Sequence, residues 1–325
     1  MIGYYAHHVG AGHLVRAELV ASRLGQPVAL LSSREPDHPD VFDHVLRLDR
    51  DDEDVLPADV TANGALHWAP SGPSGYGRRV GQLAAWVAQH RPSAVVADVS
   101  VEVAVLMRTL GVPVVLLQQP GDRRDPPHAL SRQIATALVA PWPQEVLDPD
   151  WLAPHLGRTT FVGALSRYAG RPRPDGGTGR RVLVVGGGDA VAGTDVTAAA
   201  AATPGWTWTT AGVTGDDWRP DLWDDLVRAD VVVTHAGQNA LADVATAARP
   251  AVVVASPRPH DEQVTTTRAL AAAGIAVGVE QWPDAEDWPA LLGKAQALGG
   301  EQWSRWAAPD ALDRLCGVVA EVAAR

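Results

Sequence analysis

His235, Gly237, Gln238, Asn239, Ala240 and Asp243 follow directly on the apolar run Val231 to Thr234. That run reads as a short buried strand, His235 to Asn239 as a tight turn, and Ala240 to Ala248 as a helix. A glycine in a strand-to-helix turn lets backbone N–H groups approach a ligand, and the helix N-terminus adds positive partial charge. Such a turn suits phosphate. Asp243 comes four residues after Asn239, one helical turn further along the same face, where a carboxylate can accept hydrogen bonds from a ribose diol. A second apolar run, Ala251 to Ala255, leads to His260, Asp261, Glu262 and Gln263, whose polar groups suit sugar hydroxyls. Near the start of the chain, the strand Met1 to Ala6 turns through Gly10 and Gly12 into His13, with helical spacing from Leu14 to Leu24. His13 then sits at a helix N-terminus, where the dipole disfavours protonation and keeps an imidazole available near neutral pH. Arg16 shares its face, and Asp98 ends the apolar run Ala94 to Ala97. Gly186, Gly187 and Gly188, after Val182 to Val185, form another anion-friendly turn, which an ordinary strand-to-helix connection explains nearly as well.

The series Thr234, His235, Gly237, Asn239, Asp243, Pro250, Pro257, Asp261 and Gln263 resembles the donor-binding signature of GT-B glycosyltransferases, both the MurG type and the plant-type UDP-sugar transferases. Asp243 replaces the family's glutamate, Ala240 replaces a phosphate-binding hydroxyl, and Glu262 separates the Asp and Gln. Gly10-Ala11-Gly12-His13 with Arg16 resembles the G-x-G-H turn of the MurG type. His13 also resembles the catalytic histidine of the plant type, and Asp98 the aspartate that orients it. The resemblance implies an α/β protein with the GT-B fold: two doubly wound Rossmann-like domains facing a cleft. The expected division is an acceptor domain over 1–168, a linker over 169–181, a donor domain over 182–308, and a C-terminal helix over 309–325 that packs back on the first domain.

The implied activity is inverting, metal-independent transfer of a sugar from a UDP- or dTDP-linked donor to a hydroxyl or amine. His13 would deprotonate the acceptor, and Asp98 would fix its tautomer and stabilise the imidazolium. His235 and the backbone from Gly237 to Ala240 would hold the diphosphate as charge builds on it. The nucleotide sugar is then a co-substrate, with no cofactor and no metal cluster expected. Two alternatives stand beside this reading. One is a hydrolase of the MurG-like type in which water replaces the acceptor; the other is a non-catalytic nucleotide-sugar-binding protein. Beside the catalytic reading, which is favoured for His13, stand His13 as a structural hydrogen-bonder and Asp98 as a cap for the next helix; for Arg16 an ion-pair partner is favoured over a phosphate ligand.

Composition narrows the classes further. Hydrophobic residues make up 46% and charged residues 20%, ordinary for a globular chain of 325 residues with room for two cores. The net charge of −11 argues against a nucleic-acid binder. A single cysteine, Cys316, suits a reducing cytoplasm. The opening residues show no secretory pattern, and no apolar stretch reaches transmembrane length. The expected acceptor is a small molecule or a lipid-linked one, the latter allowing a peripheral position at the inner membrane face. Asp49-Arg50-Asp51 matches the D-x-D metal motif of GT-A enzymes in form but reads as a solvated acidic run. Residues 57 to 79 read as a long loop bordering the acceptor site, Leu83 to His90 and Ala129 to Leu138 as helices, and 171–181 as the Pro/Gly-rich linker. Core or rim packing is the expectation for the tryptophans, Trp218 and Trp282 among them.

Overall fold

The computed structural model describes residues 1–10, 12–53, 58–72, 74–173, 179–187, 194–214 and 216–325. Strands and helices alternate from the start: β1 (Ile2–Ala6), α1 (Gly12–Arg23), β2 (Val28–Ser32), β3 (His44–Arg47), α2 (Gly75–His90), β4 (Ala94–Asp98), α3 (Val101–Thr109), β5 (Val114–Leu117), α4 (Pro126–Ile134), β6 (Ala137–Ala140) and β7 (Thr159–Phe161). The second half repeats the theme with β8 (Arg181–Val185), α5 (Val196–Ala202), β9 (Thr207–Ala211), α6 (Trp223–Arg228), β10 (Val231–His235), α7 (Gln238–Ala247), β11 (Ala251–Val254), α8 (Glu262–Ala272), β12 (Val277–Val279), α9 (Trp288–Leu298) and α10 (Ala311–Ala323).

Every pairing between these strands is parallel. The first sheet has the order β3-β2-β1-β4-β5-β6-β7 and the second β12-β11-β10-β8-β9. Parallel strands need helical crossovers that cover both faces, so their residues are apolar in runs, as in Ala94-Val-Val-Ala and Val231-Val-Val. This is the GT-B architecture of two Rossmann-like domains. In both sheets the chain crosses from one edge direction to the other beside the first strand of the unit. Crevices at the carboxyl ends of strands open at such switch points, and ligands bind there.

One face of the first sheet is covered by α2 and α3, through Leu83, Trp86, Val103 and Met107. The other is covered by α1 together with α10, whose Leu315 and Val319 pack with Ile2, Val96 and Val115. The end of the chain therefore returns across the cleft to complete the core of the first half. The second sheet is covered by α6, α7 and α8 on one side and by α5 and α9 on the other.

Three local expectations change. The segment Ala129 to Leu138 is not one helix: α4 starts earlier, behind Asp125 with prolines in its first turn, and stops at Ile134. Thr136 N then donates to Val114 O and Ala137–Ala140 joins the sheet beside β5, because four apolar residues next to a buried strand gain more from pairing there. The glycine-rich end of the long loop is already the first turns of α2, capped by Ser74, whose hydroxyl accepts from Gly77 N. Gly75 is needed there, since a Cβ would run into Arg50 O. The acidic run is not simply solvated either. Asp51 is mostly buried against Arg79 Nη1 at 2.6 Å, and Asp49 binds Arg78 and Gln82. Part of the expected linker, 174–178, lies outside the described residues, as does Gly188.

Because α10 supplies core contacts to a sheet it is not part of, Leu315→Ala should destabilise the first half. Leu315 is fully buried, and removing such a side chain costs about 2–5 kcal/mol. Denaturant unfolding that showed a loss below about 1 kcal/mol would mean the helix is not docked as described.

Candidate active site

The carboxylate of Asp98, at the C-terminal end of β4, has no exposed surface. Arg16 reaches it from the second turn of α1, with Nε donating to Oδ2 at 2.9 Å and Nη2 to Oδ1 at 2.8 Å. Tyr4 Oη donates to Oδ2 at 3.1 Å, and His13 Nδ1 lies 3.0 Å from Oδ1. Arg16 Nη2 also lies 2.9 Å from His13 Nδ1; the four contacts to Asp98 fill its roughly four lone-pair sites in the tautomer that carries the proton on Nδ1. That tautomer leaves Nε2 as the free base. Full burial alone would push the Asp98 carboxyl up, but Arg16 and then His13 hold it well below the usual carboxylate range. The same pair works in reverse on Arg16: burial opposes its charge, and Asp98 more than restores it.

Arg16 also faces the other half of the molecule. Its Nη1 donates to Gln238 Oε1 and Asn239 Oδ1, each at 3.2 Å, and Asn239 Nδ2 donates to Gly12 O at 3.3 Å. The turn ending β10 is thus joined directly to the turn that carries His13. Gln238 Nε2 is buried and has no partner among the described residues. It is a spare donor at the point where the two turns meet.

His235 ends β10. Its Nδ1 accepts from Gly237 N at 2.9 Å, which leaves the proton of the neutral ring on Nε2. Burial, helped by Arg258, lowers its pKa to about 4, so the ring is a neutral donor at physiological pH. It lies close to the turn after β8: a Cβ on Gly187 would sit 2.7 Å from His235 Nε2. Gly186 is equally constrained by the backbone of Gly212. Among the described residues no side chain caps the N-terminus of α7, so its first N–H groups, from Gln238 to Ala240, can serve an anion. A cavity of about 300 Å³ opens beside this turn, with Thr194, His235, Ser256, Pro257, Glu280 and Trp282 in its wall.

Other expected donor residues are placed differently. Asp243 does share a face with Asn239, but that face meets the first domain: Oδ1 accepts from Ser166 Oγ at 2.8 Å and Oδ2 from Arg167 Nε at 3.1 Å. Gln263 is buried, and its Oε1 accepts from the backbone N–H groups of Ala236 and Ser256, bracing the two strand-end loops against each other. Glu262 pairs with Arg123 Nη2 at 3.0 Å across the cleft; burial pushes its carboxyl up against the pull of Arg123 and Arg16. Asp261 is exposed, with a left-handed backbone at the start of α8. Gly10 has φ +89, as the turn into α1 requires.

Sequence reasoning did not single out Tyr4 or Arg123, and it expected core or rim packing for Trp218. Nothing local marks Tyr4, whose role depends on β1 lying beside β4. Trp218 is 67% exposed on the loop that follows β9, an uncommon setting for tryptophan. The structure also brings together two groups of potential metal ligands, His67, Asp125, His128 and His260 and, separately, His7, His8 and Asp51. Both are assembled from segments distant in sequence, so no ligand spacing announced them.

Residues 214–284 match the glycosyltransferase family 28 C-terminal domain. No curated protein matches the chain by sequence. Solved structures match over nearly the whole length: the glycotransferase of kitacinnamycin with 17% identity, 99% of this chain, 98% of the other and a TM-score of 0.65. MurG of Acinetobacter baumannii matches with 18% identity, 98% and 99% coverage and a TM-score of 0.66. The spinosyn rhamnosyltransferase SpnG matches with 16% identity, 97% and 99% coverage and a TM-score of 0.62. The likeness to these structures shows the GT-B fold, and residues 214–284 add the match to the family 28 C-terminal domain.

Asp243 gives the interdomain seam a pH dependence. Burial raises its carboxyl to about 6, with Arg167 and Ser166 opposing the rise. The folded state therefore holds this proton more tightly than the unfolded chain, whose aspartate titrates near about 4. The contribution to stability is full below about pH 4 and is lost as pH rises through about 6, amounting to roughly 3 kcal/mol at most. Urea unfolding of wild type and Asp243→Asn across that range should show the decline in wild type only; parallel curves would refute the assignment.

Proposed function

We propose that the chain is an inverting, metal-independent transferase that moves a sugar from a UDP- or dTDP-linked donor to an acceptor hydroxyl or amine. The observation that carries this reading is the His13–Asp98 pair, an imidazole whose Nδ1 lies 3.0 Å from a buried carboxylate, set directly opposite an anion turn. In the reaction, His13 Nε2 takes the acceptor proton and the acceptor heteroatom bonds to the anomeric carbon. The bond from that carbon to the diphosphate oxygen breaks with its electron pair leaving on oxygen, on the opposite face, which inverts the centre. His235 Nε2–H, the amides at the start of α7 and Gln238 Nε2 are the donors that meet this charge. Asp98 with Arg16 holds His13 in place while the imidazolium forms.

Strand order lays the donor out. Along the carboxyl edge run the loop after β9 with Trp218, the Gly186–Gly187 turn after β8, His235 and Gly237 after β10, and the 255–262 loop after β11. We assign these in turn to the base, the pyrophosphate approached from two sides, and the sugar. Trp218 offers an exposed aromatic face for stacking. Both nucleotides occur in this fold: SpnG has been solved with thymidine diphosphate and with spinosyn aglycone, and UGT89C1 of Arabidopsis thaliana with UDP. A small-molecule acceptor is the reading preferred here over a lipid-linked one. None of the described helices is long and apolar enough to cross a membrane, and with a single cysteine the cytoplasm is the compartment proposed.

Thermal shift with UDP, dTDP, GDP and ADP tests the donor half. A nucleotide at about a hundred times its dissociation constant stabilises by about 2.7 kcal/mol, and Trp218→Ala should weaken it by about 1–3 kcal/mol, the usual worth of a stacked base. His13→Ala should keep the nucleotide shift while losing about 10²–10⁴ in rate. No shift with any nucleotide, or an undiminished rate in His13→Ala, would overturn the reading. Nucleotide release that needs no acceptor would make it a hydrolase instead.

A further inference from the structure

His67, Asp125, His128 and His260 each offer one donor atom, and the four atoms lie within 4.8 Å of one another. His67 comes from the long loop before α2, Asp125 and His128 from the start of α4, and His260 from the turn before α8 in the other domain. His67 Nε2 is 2.6 Å from Asp125 Oδ2, and His128 Nδ1 is hydrogen-bonded to Oδ1. The ring centroids are 4.4 Å apart for His67–His128, 4.8 Å for His128–His260 and 5.8 Å for His67–His260.

The third imidazole is held there at a conformational cost. His260 has φ 62, a left-handed backbone that a β-carbon disfavours, and Asp261 after it has φ 52. The strain is held from the opposite domain, where Asp122 N donates to His260 O at 2.7 Å. Gly121, at φ +100, leaves the room; a Cβ there would run into His260 O. Two domains are thus braced so that three ring nitrogens and a carboxylate face one another.

We propose that these four residues bind a divalent transition metal of the zinc type that clips the two domains together at the mouth of the cleft. Three imidazoles and one carboxylate suit zinc and its neighbours, whereas magnesium and calcium call for oxygen ligands. Four protein donors fill a tetrahedral shell, so the ion is structural and takes no part in transfer. Bonds of about 2.0–2.2 Å place tetrahedral donors roughly 3.3 Å apart, so the two His–Asp contacts open slightly while the wider separations, up to 4.8 Å, close. The ion replaces the two imidazole–carboxylate hydrogen bonds. Arg123, 3.3 Å from His128 Nε2, keeps Glu262, Gln119 Oε1 and Pro120 O as partners. All four groups are partly exposed, so the ion has a path in. The cluster of His7, His8 and Asp51 fits less well, because Arg79 already occupies the Asp51 carboxylate.

The test is calorimetric titration of chelator-stripped full-length protein with zinc chloride, alongside cobalt(II) as a visible-absorption probe of tetrahedral geometry. Wild type should bind one equivalent, show tetrahedral cobalt bands and gain in thermal midpoint. His260→Ala and His67→Ala should each weaken zinc by more than the roughly 10–100-fold that loss of an outer-shell partner costs, and both should lose the midpoint gain. Their circular dichroism in chelator should match that of wild type, and His8→Ala should bind as wild type does. Absence of stoichiometric binding in wild type overturns the proposal. So does wild-type affinity in both His260→Ala and His67→Ala, or binding lost only in His8→Ala.

Discussion

A fully buried carboxylate at the end of β4 must find donors for all of its lone pairs, and much of the cleft is arranged around that need. Asp98 is ionised without water because Arg16 supplies two bonds and a positive charge, while Tyr4 and His13 supply the rest. Removing any one partner would leave a buried charge short of a bond, which costs more than the bond itself is worth. The arrangement gives His13 a single orientation. It also explains why an arginine sits one turn beyond the histidine: without it, Asp98 could stay charged only by drawing harder on His13.

The guanidinium that neutralises Asp98 has hydrogens to spare, and they reach Gln238 and Asn239. One side chain thus links His13 in the first domain to the start of α7 in the second. The seam between the domains divides into two kinds of contact. On the linker side buried rings join the polar contacts of Asp243: Tyr168 packs on Trp223, its hydroxyl accepts from Leu222 N at 2.7 Å, and Ala164 N donates to Trp306 O at 3.0 Å. On the mouth side it is polar, with Arg16 on α7, Arg123 on Glu262 and Asp122 on His260. Polar contacts of this kind exchange with water at small net cost, whereas parting the linker side would expose buried rings.

The fold was legible in the sequence because parallel sheets demand apolar runs with helical spacing between them, and this chain alternates the two throughout. The site was legible where function depends on a short stretch of backbone: the glycines at 12, 186 and 237 and the histidines beside them fall where the strand ends predict. It was less legible where function depends on what a side chain meets across space. Asp243 has the right helical phase for a strand-edge ligand, yet Ser166 and Arg167 come to the same face only once the second domain folds back. Gln263 reads as a sugar ligand but braces two loops through their amides. Ala137–Ala140 reads as the end of a helix because four apolar residues carry no period of their own, and the neighbouring strand decides.

The histidines make the same point more strongly. His67, His128 and His260 are unremarkable one by one, separated by spacings that match no ligand motif. What brings them together is the polar mouth, and with it the left-handed turn at His260 that Gly121 and Asp122 accommodate from the other domain. A strained turn is tolerated only if the surroundings over-determine it. Here the bracing comes from the other domain, through Asp122 N to His260 O and the room that Gly121 leaves. The contacts at the mouth that join the domains are therefore also the contacts that hold the 255–262 loop.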